Sequence, residues 1–257
     1  MACHTVTGLV SLVLDDESFA EWSIPLVPGP PRTPSHEAKF KRARERTGRA
    51  ESVLVGEGRL GGRRVAVIAG DPDFLGGSIG VAAGEPLTSG IERATAEGLP
   101  LLAFPVGGGT RMQEGTIAFL QMTKITQAVV AHKAENLPYL VYLRDPTMGG
   151  VFASWGSLGH VTVAEPGAMV GFLGPRVYEA IYGHPFPPGV QVSENLEARG
   201  IIDAVARPED LADMFNRIIT VLMMRRERGL LTEAALPAPE PRPQPDLPDI
   251  DAWESVT

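Results

Sequence analysis

An α/β fold is predicted, and three observations predict it. Two continuous apolar runs, Leu101-Leu102-Ala103-Phe104 and Tyr139-Leu140-Val141-Tyr142-Leu143, have turn formers at both ends, as short strands buried on both faces do. Between them, residues 112–137 carry Ile117, Leu120, Ile125 and Val129 at helical spacing. Glycine clusters close the apolar runs: Gly107-Gly108-Gly109, Gly149-Gly150 and Gly171-Phe172-Leu173-Gly174-Pro175. Strand, glycine turn, helix, strand is a crossover pattern. Glycines at the carboxyl ends of strands let backbone N–H groups approach a ligand closely, so chemistry is expected there.

The remaining elements follow in order. Residues 6–14 are apolar, and the proline-rich residues 25–34 read as an extended connector. Residues 36–49 form a basic helix ending near Gly48. Residues 52–57 and 63–69 are two strands joined by a glycine-bearing hairpin loop, Gly58-Arg59-Leu60-Gly61-Gly62. Residues 71–84 hold Gly76, Gly77, Gly80 and Gly84 and read as a loop packed hard against a neighbour, followed by a helix from Glu85 carrying Leu87, Ile91 and Ala94. Val161-Thr162-Val163-Ala164 is a further strand, and a helical piece follows Arg176 to Gly183. Ser193 is expected to cap a short helix closed by Gly200, and residues 211–225 form an amphipathic helix. Residues 237–257 hold six prolines and five acids against one arginine, a composition expected to be disordered. The expected organisation is an N-terminal extension over 1–34, one domain over 35–232, and a Pro-rich acidic tail over 233–257.

Composition excludes several classes. A net charge of −8 argues against nucleic acid as a partner, and no apolar run approaches the roughly 20 residues of a membrane span. The N-terminus lacks a basic region leading into an apolar one, so a cytoplasmic location is expected. One cysteine, Cys3, excludes an internal disulfide framework and a cysteine-rich zinc site. The charge is uneven: Lys39, Lys41, Arg42, Arg44, Arg46 and Arg49 face only Glu37 and Glu45 over residues 36–49. This is either a solvated helix face or a patch that holds phosphate on a polyanionic small ligand.

Side-chain chemistry is sparse. No Gly-x-Ser-x-Gly elbow presents a serine, and Ser154, Ser157 and His160 are near one another only along the chain. Asp71 and Asp73 lack a third ligand at metal spacing. Gly107-Gly108-Gly109 has neither the lysine nor the hydroxyl of a phosphate loop. What remains is main chain. Glycine pairs at strand ends can aim two N–H donors at one oxygen, an arrangement that stabilises charge developing on a carbonyl by about 3 kcal/mol per donor. Taken singly, each cluster could equally be a tight turn.

The residues then become recognisable. Gly108-Gly109-Thr110-Arg111-Met112-Gln113-Glu114, Asp145-Pro146-Thr147-Met148-Gly149-Gly150-Val151, Ala164-Glu165-Pro166 and Gly171-Phe172-Leu173-Gly174-Pro175-Arg176 stand in order, with Phe74-Leu75-Gly76-Gly77-Ser78-Ile79-Gly80 upstream. Over residues 10–222 the chain resembles the carboxyltransferase β subunit of acetyl-CoA carboxylase. The resemblance implies a crotonase-like (ClpP/crotonase) α/β fold of repeated ββα units. It implies carboxyl transfer from carboxybiotin, borne on a partner carrier protein, to acetyl-CoA or another short acyl-CoA through an oxyanion-stabilised enolate, in fatty acid biosynthesis. It also implies two partners, a carboxyltransferase α-type subunit and a biotin carboxyl carrier protein, in a homo- or hetero-oligomer.

Carried onto this chain, Gly149 and Gly150 match the family's oxyanion-forming pair, and Gly108 and Gly109 its other site-lining turn. Which oxygen each pair holds is left open. Gly76 and Gly77 match a glycine loop near the CoA site, and Lys41, Arg42, Arg44, Arg111, Met148 and Phe172 are the further substrate-binding candidates. The family's N-terminal zinc ribbon has no counterpart, so neither zinc nor another metal is expected. His160 stands where aspartate is usual, Thr110 replaces alanine, and Pro105-Val106-Gly107 replaces small and hydroxyl residues. Two alternatives accompany the reading: biotin-independent decarboxylation of a malonyl-thioester, and a catalytically silent subunit that binds acyl-CoA or holds a partner.

Overall fold

The computed structural model describes residues 5–227; the tail expected to be disordered lies outside them. Helix α1 (Val6–Val13) opens the chain, capped by the Thr5 hydroxyl. A two-residue strand, β1 (Ala20–Glu21), precedes α2 (Pro34–Thr47), which starts on the Thr33 cap with proline in its first turn and stops at left-handed Gly48. Strands β2 (Val53–Leu60) and β3 (Arg63–Gly70) form an antiparallel hairpin whose two turn residues, Gly61 and Gly62, both have positive φ. Then come α3 (Val81–Ala96), β4 (Leu101–Phe104), α4 (Thr116–Ala134), β5 (Tyr139–Leu143) and β6 (Thr147–Met148). A helical turn, α5 (Gly149–Val151), runs on into a π turn over Phe152–Gly156. The remainder is β7 (Val161–Ala164), β8 (Val170–Gly171), α6 (Pro175–Tyr182), α7 (Ser193–Ala198), β9 (Ala204–Val205) and α8 (Leu211–Glu227).

Seven strands form one sheet in the order β1-β2-β3-β4-β5-β7-β9, antiparallel up to β3 and parallel beyond; β6 and β8 form a separate parallel pair. The strand period of two sorts the core onto two faces. Ala66, Ile68, Leu101, Ala103, Tyr139, Val141 and Leu143 face Leu87 and Ile91 of α3 and Met122, Ile125 and Val129 of α4. Val65, Val67, Leu102, Phe104, Leu140 and Tyr142 face α1 and α8 through Leu9, Val10, Phe215 and Ile219. This explains why β4 and β5 are apolar at every position: both faces are covered.

Four expectations change. Residues from Val6 onward belong to this body instead of forming an extension, because α1 fills one face of the sheet and β1 extends its edge. Helix α3 starts at Val81, four residues before Glu85, because the carboxylate of Glu114 accepts the Val81 N–H at 2.8 Å. Ser193 is the first helical residue and not the cap: its hydroxyl donates to the Glu165 carbonyl at 2.8 Å and accepts the Ala168 N–H at 3.2 Å. Helix α4 buries Ala118, Met122, Ile125, Val129 and His132, whereas Ile117, Phe119 and Leu120 stand half or more exposed. Among the described residues, no helix is long and apolar enough to cross a membrane.

His132 is fully buried, with Nδ1 at 2.9 Å from the Thr95 hydroxyl and Nε2 at 3.3 Å from the Pro138 carbonyl. Burial lowers its pKa to about 4, with a further push from His160. Between this value and the ordinary 6.5 the unfolded chain binds the proton and the folded chain does not, so stability falls as pH drops. Urea unfolding at pH 7.5 and pH 5 should show a loss of about 2 kcal/mol from this residue, and His132→Gln should flatten that pH dependence.

Candidate functional site

The site is built from loops that leave the carboxyl ends of the parallel strands. After β3, residues 71–78 turn through Gly76 and Gly77, both with positive φ. After β4 the chain passes Gly107 (φ 130°), Gly108 and Gly109 (φ 113°). After β5 it reaches β6 and then Gly149 (φ 57°) and Gly150 at the start of α5. These turns are in contact. The Gly107 N–H donates to the Pro146 carbonyl at 2.7 Å, the Met148 N–H to the Gly107 carbonyl at 2.9 Å, and the Ile79 N–H to the Gly109 carbonyl at 3.1 Å. A Cβ built on Gly109 would lie 3.3 Å from the Gly150 nitrogen, and one on Gly149 would lie 3.3 Å from the Gly108 carbonyl oxygen. The approach is possible only because these positions lack side chains.

Among the described residues, the N–H groups of Gly108 and Gly109 donate to no acceptor. Gly150, the second residue of its helix, has an N–H that no intrahelical carbonyl can take. A groove of about 570 Å³ opens at Gly108, lined also by Gly76, Ser78, Thr110 and Arg111, with His36 and Lys39 of α2 on its other wall. Burial lowers the pKa of His36, and the positive charge of Arg111 lowers it further.

The other candidates fall in distinct places. Met148 is buried beneath the glycines, and Phe172 stands 65% exposed, its carbonyl oxygen 3.8 Å from a Cβ built on Gly149. Lys41, Arg42 and Arg44 are exposed on α2. Lys41 and Arg44 line a shallow separate hollow with Pro34, Glu37, Ala38 and Glu45, so within α2 it is Lys39 that turns its charge to the glycine groove. Arg111 is 1% exposed, and its guanidinium is held by Glu51, Glu114, Ser52 and the Ser78 carbonyl. That set of partners makes it a support for the groove wall. His36 was outside the sequence-derived set; a histidine in a basic helix gave no signal of the groove that the fold places beside it.

The description "Carboxyl transferase domain" matches residues 30–247. The chain belongs to the carboxyl transferase family. It is 56% identical over 257 residues to a protein named probable biotin-dependent acyl-coenzyme A carboxylase beta3 subunit from Mycobacterium tuberculosis, covering 100% of this chain and 50% of that protein. It is 41% identical over 211 residues to an acetyl-coenzyme A carboxylase carboxyl transferase subunit beta from Carboxydothermus hydrogenoformans, covering 82% of this chain and 75% of that one. The chain thus spans about half the length of the mycobacterial relatives it matches. Among solved structures, the transcarboxylase 12S core superposes with a TM-score of 0.70 at 23% identity, over 84% of this chain and 40% of that one. A chain of a Pseudomonas malonate decarboxylase hetero-tetramer superposes at 0.67 and 24% identity, over 93% and 92%. These two likenesses show the shared crotonase-like carboxyl transferase fold.

Proposed function

We propose that this chain is the acyl-CoA-binding half of a biotin-dependent carboxyltransferase. One observation carries the reading: the Gly108–Gly109 and Gly149–Gly150 turns meet with the N–H groups of Gly108, Gly109 and Gly150 unbonded, and Gly108 lines a groove whose other wall bears Lys39. The N–H groups of Gly108, Gly109 and Gly150 are fixed by neighbouring backbone bonds, so they need no reorganisation when charge develops on a carbonyl oxygen. The donors suit either acceptor the reaction requires, the thioester carbonyl of an acyl-CoA or the ureido carbonyl of biotin. Carboxybiotin, carried by a separate protein, supplies the carboxyl group. This chain's residues hold the acyl-CoA, with Lys39 near the phosphates and Lys41, Arg42 and Arg44 adding positive charge from the outer sides of α2, Gly76 and Gly77 lining the approach, and Met148 and Phe172 bounding the acyl end.

The assembly is read the same way. Ile117, Phe119, Leu120, Phe172, Ile181 and Tyr182 are exposed near or beyond the site, a surface that an α-type carboxyltransferase subunit and a biotin carrier would cover. The names of the relatives and the half-length match support a second carboxyltransferase body acting with this one in a cytoplasmic oligomer.

The test is capture of the tagged chain from its native extract, followed by assay of the complex on acetyl-, propionyl- and longer acyl-CoAs. A biotinylated chain and a second carboxyltransferase-like chain, with bicarbonate-dependent carboxylation, are expected. Malonyl-CoA splitting by the chain alone, without biotin, would overturn the reading in favour of decarboxylation. Lys39→Gln should weaken CoA binding several-fold and flatten its salt dependence more than Arg42→Gln with Arg44→Gln does, as titrations across ionic strength would report. Gly150→Val, whose Cβ would sit 3.1 Å from Met122 Cγ and 3.2 Å from Thr110 Cγ2, should lower kcat at least about a hundredfold.

A further inference from the structure

Beneath the groove lies a charged cluster that the proposed reaction does not use directly. The Arg111 guanidinium meets Glu51 at 2.9 and 3.1 Å, Glu114 at 3.0 Å, the Ser52 hydroxyl at 3.4 Å and the Ser78 carbonyl at 2.9 Å, and its centre stands 4.7 Å from the Phe40 ring centroid. The side chains of Arg111, Glu51 and Glu114 are all at most 2% exposed. The partners come from four separate segments. Glu51 and Ser52 lead into β2, Ser78 follows the first glycine loop, Glu114 caps α3, and Phe40 is the buried anchor of α2 against Phe74. Arg111 itself follows the second glycine loop, and its N–H donates to the Ile79 carbonyl at 2.8 Å while the Ile79 N–H donates to Gly109.

We propose that Glu51, Arg111 and Glu114 form a positioning device that fixes the spacing of the two glycine loops and thereby aims the Gly108 and Gly109 N–H groups. Arg111 acts as a positioning residue, because the hydrogen bonds of its guanidinium all go to protein groups. A buried charge with its partners removed is strongly unfavourable, so the cluster has one low-energy arrangement, and the loops tied to it inherit that arrangement. The inference rests on the carboxyltransferase reading for its consequence but not for its geometry.

Two readouts on the full chain test it. The first, independent of activity, is residue-resolved hydrogen exchange at Ile79, Arg111 and Met148, whose N–H bonds report the loop spacing. Arg111→Lys should speed exchange at Ile79 and position 111 at least tenfold; native protection there would overturn the proposal. The second is steady-state kinetics of the assembled complex. Arg111→Lys should lower kcat ten- to a hundredfold with KM for the acyl-CoA within about threefold, and Arg111→Met should lower it further. A raised KM with unchanged kcat and a flatter salt dependence would instead make Arg111 a phosphate ligand. Should Arg111→Met fail to fold, Glu114→Gln and Ser52→Ala each alter a single partner and decide by the same exchange measurement. Loss of loop protection in a chain without carboxyl transfer would uphold the positioning device and overturn the function alone.

Discussion

Gly108→Val is expected to fold as stably as the native chain and to lose at least a hundredfold in kcat/KM for acyl-CoA. Gly108 is exposed, its φ lies outside the left-handed region, and a Cβ built on it meets no atom within 4 Å. The new Cβ therefore incurs no left-handed strain and no clash, and the change in stability should stay within about 0.5 kcal/mol. The empty space that makes the substitution harmless to the fold is the groove itself. Two methyl groups there would occupy the groove beside the Gly108–Gly109 turn, and loss of even one oxyanion donor costs about 10²- to 10³-fold. Thermal unfolding and steady-state kinetics check the two halves separately. Wild-type kcat/KM in this variant would remove the Gly108–Gly109 turn from the site.

Gly107→Ala, one residue earlier, should do the opposite and act mainly on stability. Gly107 has φ 130°, a region closed to side-chain-bearing residues, and its added Cβ would lie 2.5 Å from the Gly77 carbonyl oxygen. The neighbour is backbone and cannot swing away, and Gly77 is equally constrained by the Val106 carbonyl at 2.5 Å. Conformational strain contributes about 1–3 kcal/mol and the displaced loop adds to it, so a destabilisation of about 3 kcal/mol or more is expected in urea titrations. A shift under about 1 kcal/mol would mean that the two glycine loops are not packed backbone to backbone.

Much of the fold was legible because the strands are short, apolar and closed by glycine, and because the stop at Gly48 is a local signal; the start of that helix two residues earlier, on the Thr33 cap, was not read. The converging turns were legible too, through motifs whose glycines proved to pack against one another. What escaped was long-range. The start of α3 depends on a carboxylate from residue 114, and Ser193 was drawn from its capping role by residues 165 and 168. The resemblance alone makes Arg111 a substrate-binding candidate, and its short-range neighbours say nothing of what its guanidinium meets. Its actual partners, Glu51 and Ser52, lie about sixty positions away along the chain and left no mark on the local pattern. Lys41, Arg42 and Arg44 were grouped with Lys39 by sequence, and helix geometry separates them by turning adjacent residues to different sides.

The Glu114 carboxylate that closes the first turn of α3 has a temporal consequence. The chain is made from its N-terminus, so α3 leaves the ribosome well before residue 114 does, and its leading turn stays uncapped through the synthesis of β4 and the second glycine loop. The N-terminal hairpin can form early from its own local contacts, but the wall of the groove cannot set until the last of its three charged residues emerges. Nascent chains arrested before that point should therefore carry a protected β2–β3 hairpin and an open, protease-sensitive segment around Gly80.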